Sequence, residues 1–353
     1  VYSPFTLKVM PMERLFLINF EKDPDAVYIG FEPQWFDDAA YGTGLRIIAW
    51  RKDGYVDVYQ QPGLTLEDKL DVAAKGLAES FVRPLSNARF EVTASGIDVA
   101  FAFEDKTGRA VEVEVVERSK KATRPFPLLA PVGSSSTHPS SLPVYFMYDF
   151  YFVRRAHTAV TIRIAGRQHR PDPFVFPLGG ARVYFMRYSA DTFLVDWCPA
   201  QSKALEALQV EGAQATGPDQ SRYELVEDAH GLGFARIHGQ RKRHAFVAEF
   251  TPPFPEITRV QENASLQGAF VLGADASVGV IRGTYRVSRR GDEVEVILEP
   301  NGGWEPRPQT LFLRFLFTAA KVFRQWPKTY RWTAKIKVDE KAAPFMVSQW
   351  TRI

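Results

Sequence analysis

The sequence predicts a mainly β protein built from two related antiparallel β-barrel domains with few helices. Three observations carry that expectation. Short runs of alternating apolar and polar residues recur along the chain, each closed by a turn signal. Aromatic residues make up 13% of the chain, and they favour pleated, half-buried surfaces. Segments of the first half reappear in the second at nearly constant spacing.

The elements follow in order. "LRIIAWRKDGYVDVYQQP" (45–62) reads as strand, Asp53-Gly54 turn, strand. "LTLEDKLDVAAKGLAESFV" (64–82) is the best helix, with Thr65 as N-cap and Leu66, Leu70, Ala73, Leu77 and Phe81 on one stripe. Residues 90–119 form a three-strand meander with turns at Ser95-Gly96 and Lys106-Thr107-Gly108. Val111, Val113 and Val115 point to a buried face there, Glu112 and Glu114 to water. The Pro-, Ser- and Gly-rich stretch 124–143 reads as a loop, of a length that usually covers a site or crosses between parts of a fold. "PAQSKALEALQVEG" (199–212) is a second helix candidate, and "LFLRFLFTAAKVFRQW" (311–326) fits helix or strand up to Trp326-Pro327.

The repeat sets the domain division. "DDAAYGTG" (37–44) resembles "EDAHGLG" (227–233), and "RKDGYVDVY" (51–59) lines up with "RKRHAFVAE" (241–249). "FEVTASGIDVAFAFE" (90–104) lies without gaps on "YRVSRRGDEVEVILE" (285–299), where Val92, Gly96, Val99 and Glu104 match Val287, Gly291, Val294 and Glu299. With "AQATGPDQS" (213–221) as the junction, the domains are 1–212 and 213–353. Each is large enough for a closed barrel, which would remove exposed strand edges.

Charge and composition exclude several classes. Lys and Arg total 44 against 41 Asp and Glu, too balanced for a nucleic-acid-binding stripe. The run Arg241-Lys242-Arg243-His244 reads as a solvated hairpin tip. Cys198 is the single cysteine, so neither an internal disulfide nor a Cys-based zinc site can form; it reads as a buried, inert thiol. The histidines at 138, 157, 169, 230, 238 and 244 show no metal-binding spacing, and no P-loop or nucleophile elbow is present, so no metal or cofactor is expected. No signal peptide or membrane-length apolar run occurs. The expected compartment is the cytoplasm, with the periplasm open because the chain begins at Val1.

Candidate chemistry rests on polar groups embedded in apolar strands, since burying them costs several kcal/mol unless they are paired or used. Asp149 interrupts "VYFMYDFYFV" (144–153), with Tyr145, Met147 and Tyr151 on its own side. A carboxyl desolvated there can stay protonated and act as a general acid, or it can be the buried partner of Arg187. Glu249 in "HAFVAEFTPPF" is similar in kind. Tyr151, Arg187, Tyr188, Trp197, Gln349 and Trp350, with His169 in a Pro-bounded loop beside Asp172, are candidates to line and orient a ligand.

In size, strand density and duplication the chain resembles the two-domain lipocalin-like proteins, a group that includes carotenoid hydratases, tocopherol-cyclase-like enzymes and lipocalin-like pericyclases. The resemblance covers most of the chain but matches no motif, so it carries over no catalytic residue. It implies an apolar ligand pocket and cofactor-free hydration, isomerisation or cyclisation. The leading reading is a binder, or cofactor-independent enzyme, for a hydrophobic small molecule such as a polyene, terpenoid or polyketide. The alternatives are a carbohydrate-active β protein with paired carboxylates and a non-catalytic structural module.

Overall fold

The structure is a computed structural model that describes residues 1–66, 75–118, 125–131, 139–174, 182–228, 231–339 and 341–353. The chain is mainly β. Among the described residues it forms three sheets and two short helices, α1 (Leu311–Ala319) and α2 (Lys321–Gln325).

The large N-terminal sheet has eight strands in hydrogen-bonded order. They are Phe126–Ala130, Leu142–Arg154, Val183–Trp197, Met12–Asn19, Tyr28–Asp38, Gly42–Arg51, Val56–Gln60 and Leu77–Val82. Leu7–Met10 adds a ninth against Val183–Trp197. The small sheet runs Arg167–Gln168, Thr158–Ile164, Ala110–Glu117, Gly96–Glu104, Ser86–Thr93. It stacks on one face of the large sheet. Phe16, Phe31, Leu45 and Ile47 meet Phe101, Phe103, Val111 and Val113 in a shared core, with Phe31 edge-on to Phe101 at 6.0 Å. The meander forms as its alternation predicts through Glu117, with Val111, Val113 and Val115 buried and Glu112 and Glu114 exposed; Ser119 lies outside the described residues.

The third sheet takes all its strands from 202–352 and is an open path of eleven. Its end strands, Ser202–Ala204 and Gln209–Glu211, are separated only by residues 205–208, where Leu205 and Leu208 are buried, yet no ladder joins them. The expected closed barrels are therefore not formed. In the first half, the meander buries its apolar face by stacking on the large sheet rather than by continuing it. Period-2 alternation supplies a buried face and does not say whether a sheet closes or stacks.

The expectation of like topology in two copies also fails. Gly42–Arg51 and Ser86–Thr93 lie in different sheets, whereas their counterparts near 231–241 and 280–290 share one. The hairpins matched without gaps differ in register too. Val92 pairs with Ile97 across the Thr93↔Gly96 end, but Val287 pairs with Val296 across Arg290↔Glu293. A turn glycine and alternation are generic to hairpins, and that is what the match detected.

Other local expectations change as well. Residues 67–74 of the first helix lie outside the described residues, and Leu77–Val82 is a strand parallel to Val56–Gln60. The 199–212 segment forms strands Ser202–Ala204 and Gln209–Glu211, so sheet pairing overrides its helical composition. The 213–221 stretch is not a linker: Gln214–Thr216 pairs on both sides within the third sheet, and strands change sheet between Trp197 and Ser202. Within 124–143, Phe126–Ala130 is an edge strand.

The two halves share one core. Phe5 of the N-terminal segment stacks on Trp197 at 5.5 Å and on Phe250 at 5.0 Å, and meets Phe254 edge-on at 4.6 Å. The basic hairpin tip is exposed at Lys242 and Arg243, as expected of a solvated tip, and it is also ion-paired. Arg241 and Lys242 pair with Glu13, and Arg243 and His244 with Asp191. Among the described residues, no helix is long and apolar enough to cross a membrane.

Candidate functional site

The face of the large sheet turned away from the small sheet walls an apolar cavity of about 560 Å³. Its size suits a small molecule. Leu15 and Leu17 come from one strand, Ile48 and Trp50 from another, and Phe126, Leu128 and Ala130 from the edge strand. Leu316 of α1, Ala320 between the helices, and Val322 and Phe323 of α2 also line it, so both halves of the chain build the site. The long segment at 124–143 thus contributes a wall through its edge strand.

The strand Leu142–Arg154 adds Tyr145, Met147, Phe150 and Phe152. Four residues in that spacing share a wall because the strand bulges. Phe126 pairs with Phe150 and Leu128 with Met147, so Tyr148 and Asp149 together oppose Pro127. Asp149 takes a left-handed backbone, with φ of 47°, and its side chain is exposed. The sequence reading assumed a regular strand, in which Asp149 would be trapped among aromatics; the bulge puts it in solvent instead.

Among the described residues, two carboxyls line the cavity, the exposed Glu21 and the buried Glu32. Period 2 on Tyr28–Asp38 sends Phe31 into the inter-sheet core and Glu32 and Gln34 to the opposite face. Glu32 is 7% exposed and accepts a hydrogen bond from Gln34 Nε2 at 2.7 Å. Burial pushes its carboxyl up to about 7, against the opposing pull of the Gln34 hydrogen bond and the Arg46 and Arg187 charges. The buried Trp50 indole N–H nearby also favours the charged form, although it forms no hydrogen bond. Glu32 can therefore give or take a proton near neutral pH.

Arg187 lines the same cavity. Its Nη1 donates to Asn19 Oδ1 at 2.7 Å, and its guanidinium lies 4.3 Å from the Phe185 ring centroid. It keeps some accessible surface but sits deep in the protein, and desolvation pulls it down to about 10 despite the Glu32 and Glu21 charges. Glu32 and Arg187 make no ion pair; they are coupled through space. Tyr145 completes the polar set. Burial raises its phenol, with the Asp196 and Glu32 charges adding to the effect, so its hydroxyl stays protonated as a donor.

Of the residues singled out from the sequence, Arg187 alone lines this cavity. Glu249 is exposed on the third sheet and pairs with Arg236. Tyr151 and Tyr188 stack at 5.1 Å within the core between the two N-terminal sheets. His169 is fully buried against Phe20, with Nδ1 2.8 Å from the Asp23 carbonyl oxygen and Nε2 without a partner. Trp197 and Trp350 are core residues, the latter donating to the Cys198 carbonyl at 2.8 Å, and Gln349 is exposed. His138 and His230 lie outside the described residues. Glu32, Trp50 and Tyr145 were missed as site residues. The signal was present: Glu32 sits in "YIGFEPQWF" as deeply among aromatics as Asp149 does in its own run.

Among the described residues, no group of three or more His, Cys, Asp or Glu is placed to hold a metal ion. No family model, curated protein or solved structure matches the chain.

Proposed function

We propose that this protein binds a hydrophobic small molecule in the cavity beneath α1 and α2, with Glu32 as the proton-transferring group of a cofactor-independent reaction. The observation that carries the reading is a buried carboxyl, pushed up to about 7, in a cavity whose walls are mostly apolar. An isomerisation, hydration or cyclisation needs a proton delivered to, or taken from, an apolar skeleton shielded from bulk water. Glu32 supplies the proton. Arg187 and Tyr145 supply a charge and a donor that orient a polar end of the ligand, and the Leu, Ile, Phe and Met walls hold the rest.

The resemblance to lipocalin-like proteins is part of this proposal. It would place the ligand against one face of an open sheet under helical cover rather than inside a closed barrel. A sugar is a poorer fit, because its hydroxyls need hydrogen-bonding groups spread along a cleft, and these walls are mostly hydrocarbon.

Native mass spectrometry of the purified protein tests the reading. A co-purified lipophilic mass is expected in the wild type and in Glu32→Gln, and it is expected to disappear in Ala130→Trp, where an indole fills the cavity. Retention of that mass by Ala130→Trp would place the ligand elsewhere.

A further inference from the structure

The helices that roof the cavity have an outer surface of unusual chemistry. Thr310 caps α1 through its hydroxyl, which accepts from the Leu313 amide at 3.2 Å. Leu313 and Phe317 anchor the helix inward, and Phe317 meets Trp304 at 4.9 Å. Leu316 and Phe323 also pack inward, but four other large apolar side chains on the two helices are exposed. Leu311 is 82% exposed, Phe315 57%, and Phe312 and Val322 each 47%.

Charge accompanies this apolar surface. Between Pro306 and Lys328 the chain carries Arg307, Arg314, Lys321, Arg324 and Lys328 and no carboxylate, in a protein whose net charge is +3. All five cations are exposed, and none forms an ion pair among the described residues. Elsewhere on the surface, cations are commonly paired, as in Arg89 with Asp98 and Arg282 with Glu305. Exposed Leu and Phe beside unpaired Lys and Arg is the pattern of a helix lying in a lipid interface, where side chains enter the acyl boundary and cations meet anionic headgroups.

We propose that α1 and α2 form a docking surface for an anionic phospholipid membrane. Leu316 and Val322 line the cavity from the same helices, so the docked face borders the route to the pocket. A ligand too insoluble for water could then pass from bilayer to cavity. That last step rests on the proposed ligand reading; the docking does not.

Vesicle flotation tests the docking, with phosphatidylcholine vesicles compared against mixed phosphatidylcholine–phosphatidylglycerol vesicles at low and high salt. The wild type is expected to float with the anionic vesicles and to release at high salt. Leu311→Ser with Phe312→Ser, and separately Arg314→Gln with Lys321→Gln and Arg324→Gln, should each weaken binding by about tenfold or more. All these side chains are exposed, so unchanged thermal melting serves as the folding control. Ala130→Trp should float like the wild type, which separates a failure of docking from a failure of the pocket reading. Wild-type protein left in solution with both vesicles would overturn the proposal, as would anionic binding that neither set of substitutions weakens.

Discussion

Gln34 Nε2 donates a 2.7 Å hydrogen bond to Glu32 Oε1, two residues along one face of the same strand. The amide presents its NH₂ that way because Arg46 holds its other end, donating from Nε at 2.9 Å and Nη2 at 2.7 Å to Gln34 Oε1. Arg46 is itself 4% exposed and lies 5.0 Å from the Phe36 ring centroid. Orientation thus passes from a buried cation through an amide to the carboxyl.

Gln34→Met should break this relay. Arg46 would lose two hydrogen bonds, at a cost of about 1–3 kcal/mol in urea unfolding. Glu32 would lose the contact that best stabilises its charge, so its midpoint should rise above the wild-type value. An unchanged midpoint would mean that Gln34 does not tune Glu32.

Glu32 also predicts how stability depends on pH. Its folded value, about 7, lies above the ordinary glutamate value of 4.5. Between those two values the folded state holds a proton that the unfolded chain has released, so stability falls as pH rises through the interval and levels off above 7. The loss is at most about 3 kcal/mol. Relative to wild type, Glu32→Gln should gain stability as pH rises from 5 to 8. Parallel profiles for the two proteins would show that Glu32 titrates at an ordinary value.

Asp149 should matter little. Asp149→Asn keeps a side chain that tolerates a left-handed backbone, so melting and any activity should stay within about 0.5 kcal/mol of wild type. Asp149→Val puts a β-branched residue at that φ and should cost about 1–2 kcal/mol. Loss of activity in a stably folded Asp149→Asn would return this residue to the site.

Phe5 ties the N-terminal segment to the third sheet, and Cys198 lies beside it, its amide donating to the Thr6 carbonyl at 2.9 Å. Phe5→Ala should destabilise by about 3–5 kcal/mol. Cys198 is fully buried, and burial holds its thiol well above the usual range. Labelling of the native protein should therefore be slow, and Phe5→Ala should accelerate it. Fast labelling of the wild type would contradict the packing described.

Much of the β content could be read from sequence, because alternation at Val111–Val115 and the Asp53-Gly54 turn are local signals with local causes. Gly54 does take a left-handed φ of 87° and closes the hairpin there. How sheets stack is not local: the same alternation serves a barrel wall and a sandwich face. The rule that found Asp149, a carboxyl among aromatics, was sound, yet it could not see the bulge that turns Asp149 out. It applied equally to Glu32, where the strand is regular and the side chain stays in. The roof of the cavity was beyond reach, because α1 and α2 share it with strand residues about 130 to 310 positions earlier in the chain.

The most direct measurement is infrared difference spectroscopy of wild type against Glu32→Gln across pH, with and without a lipophilic probe such as N-phenyl-1-naphthylamine. A protonated-carboxyl band present only in the wild type should titrate with a midpoint at about 7. Adding the probe should shift that band, because probe and carboxyl share one cavity. A midpoint below 5, or a band indifferent to a bound probe, would contradict the assignment of Glu32 as the acid of a lipophilic site.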